Sequence, residues 1–421
     1  MPASIRYITP MKLLHTADWH LNDRLGRIDR TEDLRRAVER VAAICREQSI
    51  DVLIVAGDLF SELARPDALR ETIRHWQEVF AEFLGRGGTI LTLTGNHDNE
   101  NFCQTLLNAM GLAAPGTGHS GDLVPPGRLY LAAEPTFLRL RDPSGEFEVQ
   151  FILMPYPTPT RYLLGADGQK YTDPDEKNRL LVRAFEETIQ LLRKHPNYRA
   201  GVPSVLAAHA NVFGAVVGES LFRITPQEDV VVNGQTFADQ FDYVALGHIH
   251  KPQFLGHEHI RYSGSIEKMD LGEATDSKSV CVFELGPTGR VGEIRIVPLP
   301  STPIYEVTLG DPEIDLPRLQ AETEGAEKDL VNLHVLYEAG KDSLDETLKR
   351  LGEIFPRWYA RDWKERGRLG LSLAPAEVER TRSFAETVRN YLGAELQNHS
   401  DAERAGLLGL AEELLADPDG A

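Results

Sequence analysis

The chain has 421 residues, of which 42% are hydrophobic and 26% charged, and its formal net charge is −19. This composition is that of an ordinary globular protein with a sizeable core and about two or three domains. The acidity argues against a protein that holds nucleic acid by bulk positive charge, and no apolar run approaches the ~20 residues that a membrane-spanning helix needs.

The amino terminus and the cysteines indicate the cellular compartment. The first residues lack the apolar centre of a signal peptide, and Met11 makes a natural start, so residues 1–10 are expected to be a short extension. The three cysteines are odd in number and widely spaced, at Cys45, Cys103 and Cys281. Such usage argues against a disulfide framework and favours a reducing cytoplasm without membrane association.

The amino-terminal part of the chain alternates strand-like and helix-like segments. Residues 11–18 predict a strand, 31–48 an amphipathic helix, and 51–58 a strand buried on both faces. A second helix opens at Pro66, and a third strand covers residues 89–94. This alternation is typical of a layered α/β domain.

Two further apolar runs and a change of character follow. Residues 205–208 end at His209, and residues 241–246 end at a Gly-His-Ile-His motif. Residues 260–298 predict closing strands. Several prolines then separate this domain from residues 303–365, whose pattern predicts a small βαβ-type domain.

The last part of the chain predicts two helices with apolar stripes, joined by a capping-box sequence. Such a hairpin either packs on its own domain or docks a partner, and the residues leave both options open. The predicted organisation has four parts, namely an extension at 1–10, a main domain at 11–300, a small domain at 301–370 and a helical segment at 371–421.

Each of five predicted strands ends in polar side chains that can bind metal or act in catalysis. They are Asp18 with His20, Asp58, Asn96 with His97, His209, and His248 with His250. Each has an ordinary explanation on its own, since Asp caps helices and Asn forms turns. Five such endings together predict a shared site, which we expect at one edge of a sheet.

The mixture of ligand types predicts the kind of metal and the reaction. Carboxylate, amide and imidazole ligands suit manganese, iron or zinc better than calcium, which prefers oxygen alone. In Asp-x-His and His-x-His, alternate residues turn to one side of an extended segment. There are enough ligands for two ions roughly 3.5–4 Å apart, which can hold a bridging hydroxide and clamp a phosphate. Hydrolysis of a phosphate ester is the reaction that follows.

The motifs in this order resemble the calcineurin-like metallophosphoesterase superfamily. Residues 15–21, 57–60 and 262–267 are more closely similar to the SbcD-type nuclease subunits of SbcC–SbcD DNA repair complexes. The resemblance implies a four-layer α/β/β/α sandwich over 11–300, a small α+β capping domain and a C-terminal helical hairpin. It covers the main domain strongly and agrees with the rest in layout.

The resemblance also implies two metal sites that share Asp58. One ion would be bound by Asp18, His20, Asp58 and His250, and the other by Asp58, Asn96, His209 and His248. His97 would stabilise the scissile phosphate or help the leaving oxygen depart. The family's ion is typically manganese, with magnesium, iron and zinc as alternatives.

The function implied is a hydrolase that acts as a DNA nuclease in double-strand break repair and recombination. It would be an exonuclease on double-stranded ends and an endonuclease on single strands or hairpins. It would act as a homodimer with an SbcC-like coiled-coil ATPase bound by the C-terminal helices. Two alternatives stay open, namely a small-substrate phosphatase or phosphodiesterase of the same superfamily, and a DNA-end-binding scaffold with weak catalysis.

Two positions depart from the family pattern. Asn22 stands where the family often has glycine. Ser61 stands where related enzymes carry an Asp or His that can orient the histidine of the Asn-His motif, and Glu62 follows it. Candidate phosphate contacts are Arg24, Arg27, Arg30 and Lys251, for which ordinary solvated charge is the alternative interpretation.

Overall fold

The computed structural model describes residues 8–62, 64–113, 120–163, 173–218, 230–323 and 325–366. The predicted helical segment at 371–421 lies outside these residues. The described part of the chain forms helices α1 Thr31–Glu47, α2 Pro66–Gly85, α3 Glu100–Ala113, α4 Pro159–Tyr162, α5 Pro174–Arg193, α6 Pro312–Glu322 and α7 Leu344–Ile354.

The strands of the described residues follow the apolar runs of the sequence. The first ten are β1 Met11–Thr16, β2 Arg24–Leu25, β3 Ile28–Asp29, β4 Val52–Val55, β5 Thr89–Leu93, β6 Asp122–Leu123, β7 Leu129–Ala132, β8 Thr136–Arg141, β9 Glu148–Met154 and β10 Ser204–His209. The others are β11 Asn211–Val212, β12 Val231–Val232, β13 Tyr243–Gly247, β14 Gln253–Leu255, β15 His257–Tyr262, β16 Ser279–Gly286, β17 Gly289–Pro298, β18 Ile304–Leu309, β19 Leu330–Tyr337 and β20 Trp358–Glu365.

Two mixed sheets form the body of the protein. The first has the strand order β17-β16-β1-β4-β5-β7, in which β1, β4, β5 and β7 are parallel and β16 is antiparallel. The second has the order β14-β15-β13-β10-β9-β8-β6, in which β9, β10, β13 and β15 are parallel. The central strands of both are buried on both faces, as their continuous apolar runs predict.

The two sheets pack face to face, and helices cover their outer faces. Leu13 and Ile54 of the first sheet share one core with Phe151 of the second, and the rings of Tyr243 and Phe283 stack with centroids 3.7 Å apart. Helices α1 and α2 pack on the other face of the first sheet and α5 on that of the second. Each fully buried large apolar side chain contributes about 1.5–3 kcal/mol to this packing.

The five polar strand ends therefore do not lie on one sheet edge, as the sequence led us to expect. Strands β1, β4 and β5 belong to the first sheet, whereas β10 and β13 belong to the second. Because the sheets face each other with these strands parallel within each sheet, the carboxyl ends of both sets open at one end of the sandwich. Apolar periodicity identifies a buried strand but does not say which sheet contains it.

A third sheet follows the sandwich. Strands β18, β19 and β20 pair in parallel in that order, joined by α6 and α7, and Leu333, Leu351 and Phe355 form its core. This small sheet and the sandwich belong to one compact unit that ends at Arg366. The domain boundaries at 300 and 370 stay predictions. Within the described residues, no helix has both the length and the apolar character to cross a membrane.

Candidate metal centre

The loops after the strands hold the site residues in an uncommon backbone conformation. Asp18, His20, Asp58 and His248 all have positive φ angles, of 52°, 42°, 50° and 100°. Such angles are rare outside glycine and cluster at functional sites, at a cost of about 1–3 kcal/mol each. The loops are also closely packed, because a Cβ atom at Gly95 would overlap the Asp58 carboxylate.

The departure at Asn22 fits the same loop. Asn22 has a φ of 69°, an angle that asparagine tolerates better than most residues and glycine accepts freely. Its amide donates to Thr72 Oγ1 at 2.8 Å. Asparagine therefore replaces the usual glycine without a change in the path of the backbone, and it ties the loop to α2.

The first group of candidate ligands is Asp18, His20 and His250, whose ligand atoms lie within 4.8 Å of one another. The Nε2 atoms of His20 and His250 face each other at 3.0 Å. Two nitrogens that bind one ion at about 2.1 Å, at right angles, are about 3.0 Å apart. Nδ1 of His250 donates to Glu273 Oε1 at 2.6 Å, which leaves its Nε2 as the atom for a metal.

The second group surrounds His209. Its Nδ1 donates to the Ala56 carbonyl oxygen at 2.7 Å, so Nε2 is the free nitrogen. That nitrogen lies 3.2 Å from Asp58 Oδ2 and 3.0 Å from Asn96 Oδ1, and His248 Nδ1 lies 3.0 Å from the same Asn96 oxygen. The two oxygens are acceptors, so the arrangement is favourable only with a proton or a cation between them.

Two carboxylates join the groups. Asp58 Oδ2 lies 3.6 Å from His20 Nε2 as well as 3.2 Å from His209 Nε2, and its Oδ1 accepts from His97 N at 2.9 Å. Asp18 belongs to both metal-binding groups. Its Oδ1 accepts from His248 N, whereas Oδ2 is buried and has no hydrogen-bond partner among the described residues. An unpaired buried carboxylate oxygen is costly and fits a cation ligand.

The pKa values reflect this concentration of charge. Burial opposes the ionisation of Asp58, but the neighbouring His209 and His20 hold its pKa well below its usual range. Burial likewise opposes protonation of His209, but Asp58 and Asp18 outweigh it and raise the pKa of that histidine to about 9. Burial raises the pKa of Asp18. A proton on His209 and a divalent cation compete for one position, so metal binding here would release protons.

Asp98 holds two of the loops together. Its two carboxylate oxygens accept from Phe60 N at 2.9 Å and from Gly95 N at 2.8 Å. Burial, together with the nearby Asp58 carboxylate, raises the pKa of Asp98 to about 6. The loop after β4 and the loop after β5 are thereby fixed relative to each other, which sets the separation of Asp58 and Asn96.

His97 lies at the mouth of the centre, beside an acidic residue that sequence reasoning did not assign. Its Nδ1 is 3.5 Å from Glu62 Oε2, and its ring is 5.1 Å from that of His20. Ser61 instead donates to Asp23 Oδ1 at 2.9 Å. The acidic neighbour of His97 thus comes from one position later in the chain than the family pattern has it, and the Ser-Glu pair in the sequence was the available signal.

The predicted phosphate contacts have different surroundings. Lys251 is exposed and lines the cleft over the centre with His97 and His250. Arg24 is half exposed and pairs with Asp29 at 3.8 Å.

The other two arginines are used within the protein. Arg27 donates to the carbonyl oxygens of Pro356 and Trp358 and stacks over the Trp358 ring at 4.2 Å. Arg30 is 1% exposed and pairs with Asp33 and Glu267. We therefore withdraw Arg30 as a phosphate contact, because a buried, paired guanidinium cannot reach a ligand at the surface.

Comparison with known proteins identifies what the chain is similar to. Residues 11–252 match the family described as calcineurin-like phosphoesterase. The SbcD subunit of the SbcCD nuclease of Bacillus subtilis (strain 168) is 28% identical over 285 residues, which are 66% of this chain and 67% of that protein. The corresponding SbcCD nuclease subunit of Rhodobacter capsulatus is 26% identical over 297 residues, 69% of each. Among solved structures, a dimetal phosphatase from Danio rerio matches with 10% identity and a TM-score of 0.37 over 69% of this chain and 100% of that chain, too low a likeness to carry an argument.

Proposed function

The chain belongs to the calcineurin-like phosphoesterase family, and on that premise we propose that it is a two-metal-dependent DNA nuclease. The relatives that are named as SbcD subunits of the SbcCD nuclease support DNA as the substrate. The observation that carries the metal-dependent part is the convergence of Asp58 Oδ2 and Asn96 Oδ1 on the free nitrogen of His209. Only a positive charge makes that arrangement favourable.

The proposed ligand sets keep Asp58 as the shared residue. One set is Asp18, His20 and His250 and the other is Asn96, His209 and His248, with Asp58 between them. When bound, two divalent ions supply water activation and charge neutralisation at the phosphate. Manganese is the proposed ion, and magnesium, iron and zinc are the alternatives that the mixed ligands allow.

His97 is the proposed catalytic residue. The hydrogen bond from its backbone N to Asp58 Oδ1 fixes its position relative to the centre, and its ring lines the cleft. With Nδ1 beside Glu62, Nε2 is the atom that can donate to a phosphate oxygen or to the leaving oxygen. Such a donor acts on the charge that develops as the phosphodiester bond breaks.

DNA capture is proposed to depend on a partner. The net charge of −19 gives little general attraction for DNA. Of the predicted basic contacts, Lys251 and Arg24 keep an exposed charge, and Lys251 lies at the cleft. We therefore propose that an SbcC-like coiled-coil ATPase, bound by residues 371–421, supplies most of the DNA affinity and that the nuclease acts as a homodimer.

The test is a nuclease assay on labelled blunt-ended and hairpin DNA, with manganese or magnesium, with and without the ATPase partner. Manganese-dependent cleavage that the partner stimulates is expected. The His97→Ala variant is expected to lose about 100-fold or more in rate, since positioned proton donors typically contribute 10²–10⁴-fold. Undiminished cleavage by that variant would refute the role of His97.

The same assay separates the two alternative functions. Hydrolysis of small phosphodiesters without any action on DNA would make the protein a small-substrate phosphodiesterase or phosphatase. Binding of DNA ends without cleavage of any DNA form would make it a scaffold. In the second case, elemental analysis for bound metal would tell whether the centre is loaded at all.

A further inference from the structure

We propose that Glu273 is a positioning residue that sets the tautomer and direction of His250, with Lys278 holding Glu273 in place. The inference builds on the proposed function, because it assumes that His250 binds a metal ion. Glu273 ends the short 3₁₀ helix Leu271–Glu273, and Lys278 directly precedes β16. Neither residue carries a sequence motif for metal binding.

Both charged groups are removed from water. Glu273 is 2% exposed and Lys278 is 1% exposed, and their charged ends are 2.6 Å apart. A buried ion pair contributes little net stability, because desolvation offsets the attraction. A geometric role is the better explanation for placing these two charges beside the metal centre.

The two carboxylate oxygens of Glu273 have separate partners. Oε2 accepts from Lys278 Nζ at 2.6 Å and from Met269 N at 3.1 Å. Oε1 accepts from His250 Nδ1 at 2.6 Å. The first oxygen therefore fixes the carboxylate, and the second directs the imidazole.

The consequence falls on the other nitrogen of His250. With the proton on Nδ1, Nε2 carries a lone pair, which points toward His20 Nε2 at 3.0 Å. Partners of this kind hold a histidine ligand in the correct tautomer and raise its basicity. Lys278 Nζ also donates to the His250 carbonyl oxygen at 3.1 Å, so the backbone and the ring of His250 are anchored by the same pair.

The two halves of the centre differ in this respect. His209 is oriented by a backbone carbonyl, that of Ala56, which no substitution at another position removes. His250 is oriented by a side chain. A change at Glu273 should therefore weaken the ion bound through His250 and leave the ion bound through His209 unaffected.

The experiment compares Mn²⁺ binding to the full-length wild type, Glu273→Gln and the control Glu267→Gln. Glu267 is 3% exposed and lies in the same segment, but its carboxylate bonds to Thr302 and Arg30, away from the centre. Isothermal titration calorimetry gives the number and affinity of the ions, and thermal unfolding without added metal reports folding. Glu273→Gln is expected to bind one of two ions about 10- to 100-fold more weakly, whereas Glu267→Gln binds both as the wild type does.

Two equally tight ions in Glu273→Gln would overturn the proposal, as would the same loss in Glu267→Gln. If Glu273→Gln does not fold, Glu273→Asp keeps a charge for Lys278 but withdraws the carboxylate from Nδ1, and the same selective loss is expected. Failure of the nuclease proposal looks different, since a wild type that binds two ions and cleaves no DNA would leave the role of Glu273 intact. A wild type that binds no divalent ion would overturn both.

Discussion

The metal centre and the small third sheet each contain a histidine between two carboxylates, yet only one of them is arranged to bind a cation. His334, in β19, bonds to Asp362 through Nδ1 at 2.9 Å and to Glu306 through Nε2 at 3.1 Å. Both of its nitrogens donate outward to partly exposed acids. His209 donates with one nitrogen only and turns the other toward two acceptors.

The comparison shows that composition alone does not make a metal site. An imidazole with two exposed carboxylates satisfies itself as a protonated cation. The centre differs because several acceptors converge in a buried space that no protein donor fills, as the unpaired Asp18 Oδ2 illustrates among the described residues. The strained φ angles of Asp18, Asp58 and His248 hold that convergence in place.

The largest effect is expected from removing the acceptor that both histidine groups approach. Asp58→Ala should weaken the binding of both ions by roughly 100-fold or more, beyond the 10- to 100-fold typical of indirect partners. Asp362→Ala removes a carboxylate beside His334 and should leave the metal content unchanged. Elemental analysis after dialysis measures both. Equal metal content in Asp58→Ala and the wild type would remove the distinction between the two regions.

Asp33 tests whether burial alone could explain that distinction. Its buried carboxylate pairs with Arg30 at 2.7 Å and with Arg357 of the outer segment at 2.5 Å, so its acceptors are matched by donors. Asp33→Ala should cost about 2–4 kcal/mol of unfolding free energy, because it leaves Arg30 buried without its main partner. Metal content should not change. Arg36→Ala, which removes an exposed partner of the same carboxylate, should cost less than about 1 kcal/mol.

The Asp33 effect also has a defined pH dependence. Burial opposes its ionisation, but hydrogen bonds from Arg357 and Arg30 lower its pKa. A lowered folded-state pKa gives stability that is fully present above the unfolded value of about 3.9 and is lost as pH falls through the folded value. Denaturant unfolding should therefore show a constant gap between wild type and Asp33→Ala from about pH 8 to 5, and a shrinking gap below about pH 4. A gap that grows in acid would contradict the assignment.

A smaller effect is expected at Glu62, which is in the metal centre but exposed. Its carboxylate is 62% exposed and 3.5 Å from His97, and exposed pairs contribute at most about 1 kcal/mol. Glu62→Gln should lower kcat by up to about fivefold with KM unchanged. Ser61→Ala, which removes the bond to Asp23, should leave kcat closer to that of the wild type. The reverse order would return the orienting role to Ser61.

Residues that follow apolar strands could be located from the sequence, and residues that approach through loops could not. Asp18, Asp58 and Asn96 each end a buried run, so periodicity predicted that they would meet. Glu273 reaches His250 from 23 positions away through a short 3₁₀ turn, and no period marks such a contact. Arg30 looked like a surface charge because burial by Glu267 and Asp33 is a tertiary property.

The smallest effect is expected in the outer sheet, at His334. Slight burial opposes its protonation, but the Asp362 and Glu306 carboxylates raise its pKa. A raised pKa gives stability that is present below the unfolded value of about 6.5 and is lost as pH rises through the folded value. His334→Gln should therefore cost less than about 1 kcal/mol at pH 6 and nothing measurable at pH 9, with Asp362→Asn showing part of the same loss in denaturant unfolding. A cost that persists at pH 9 would mean that the pair is held by packing rather than by charge, and the contrast with His209 would then lie in burial alone.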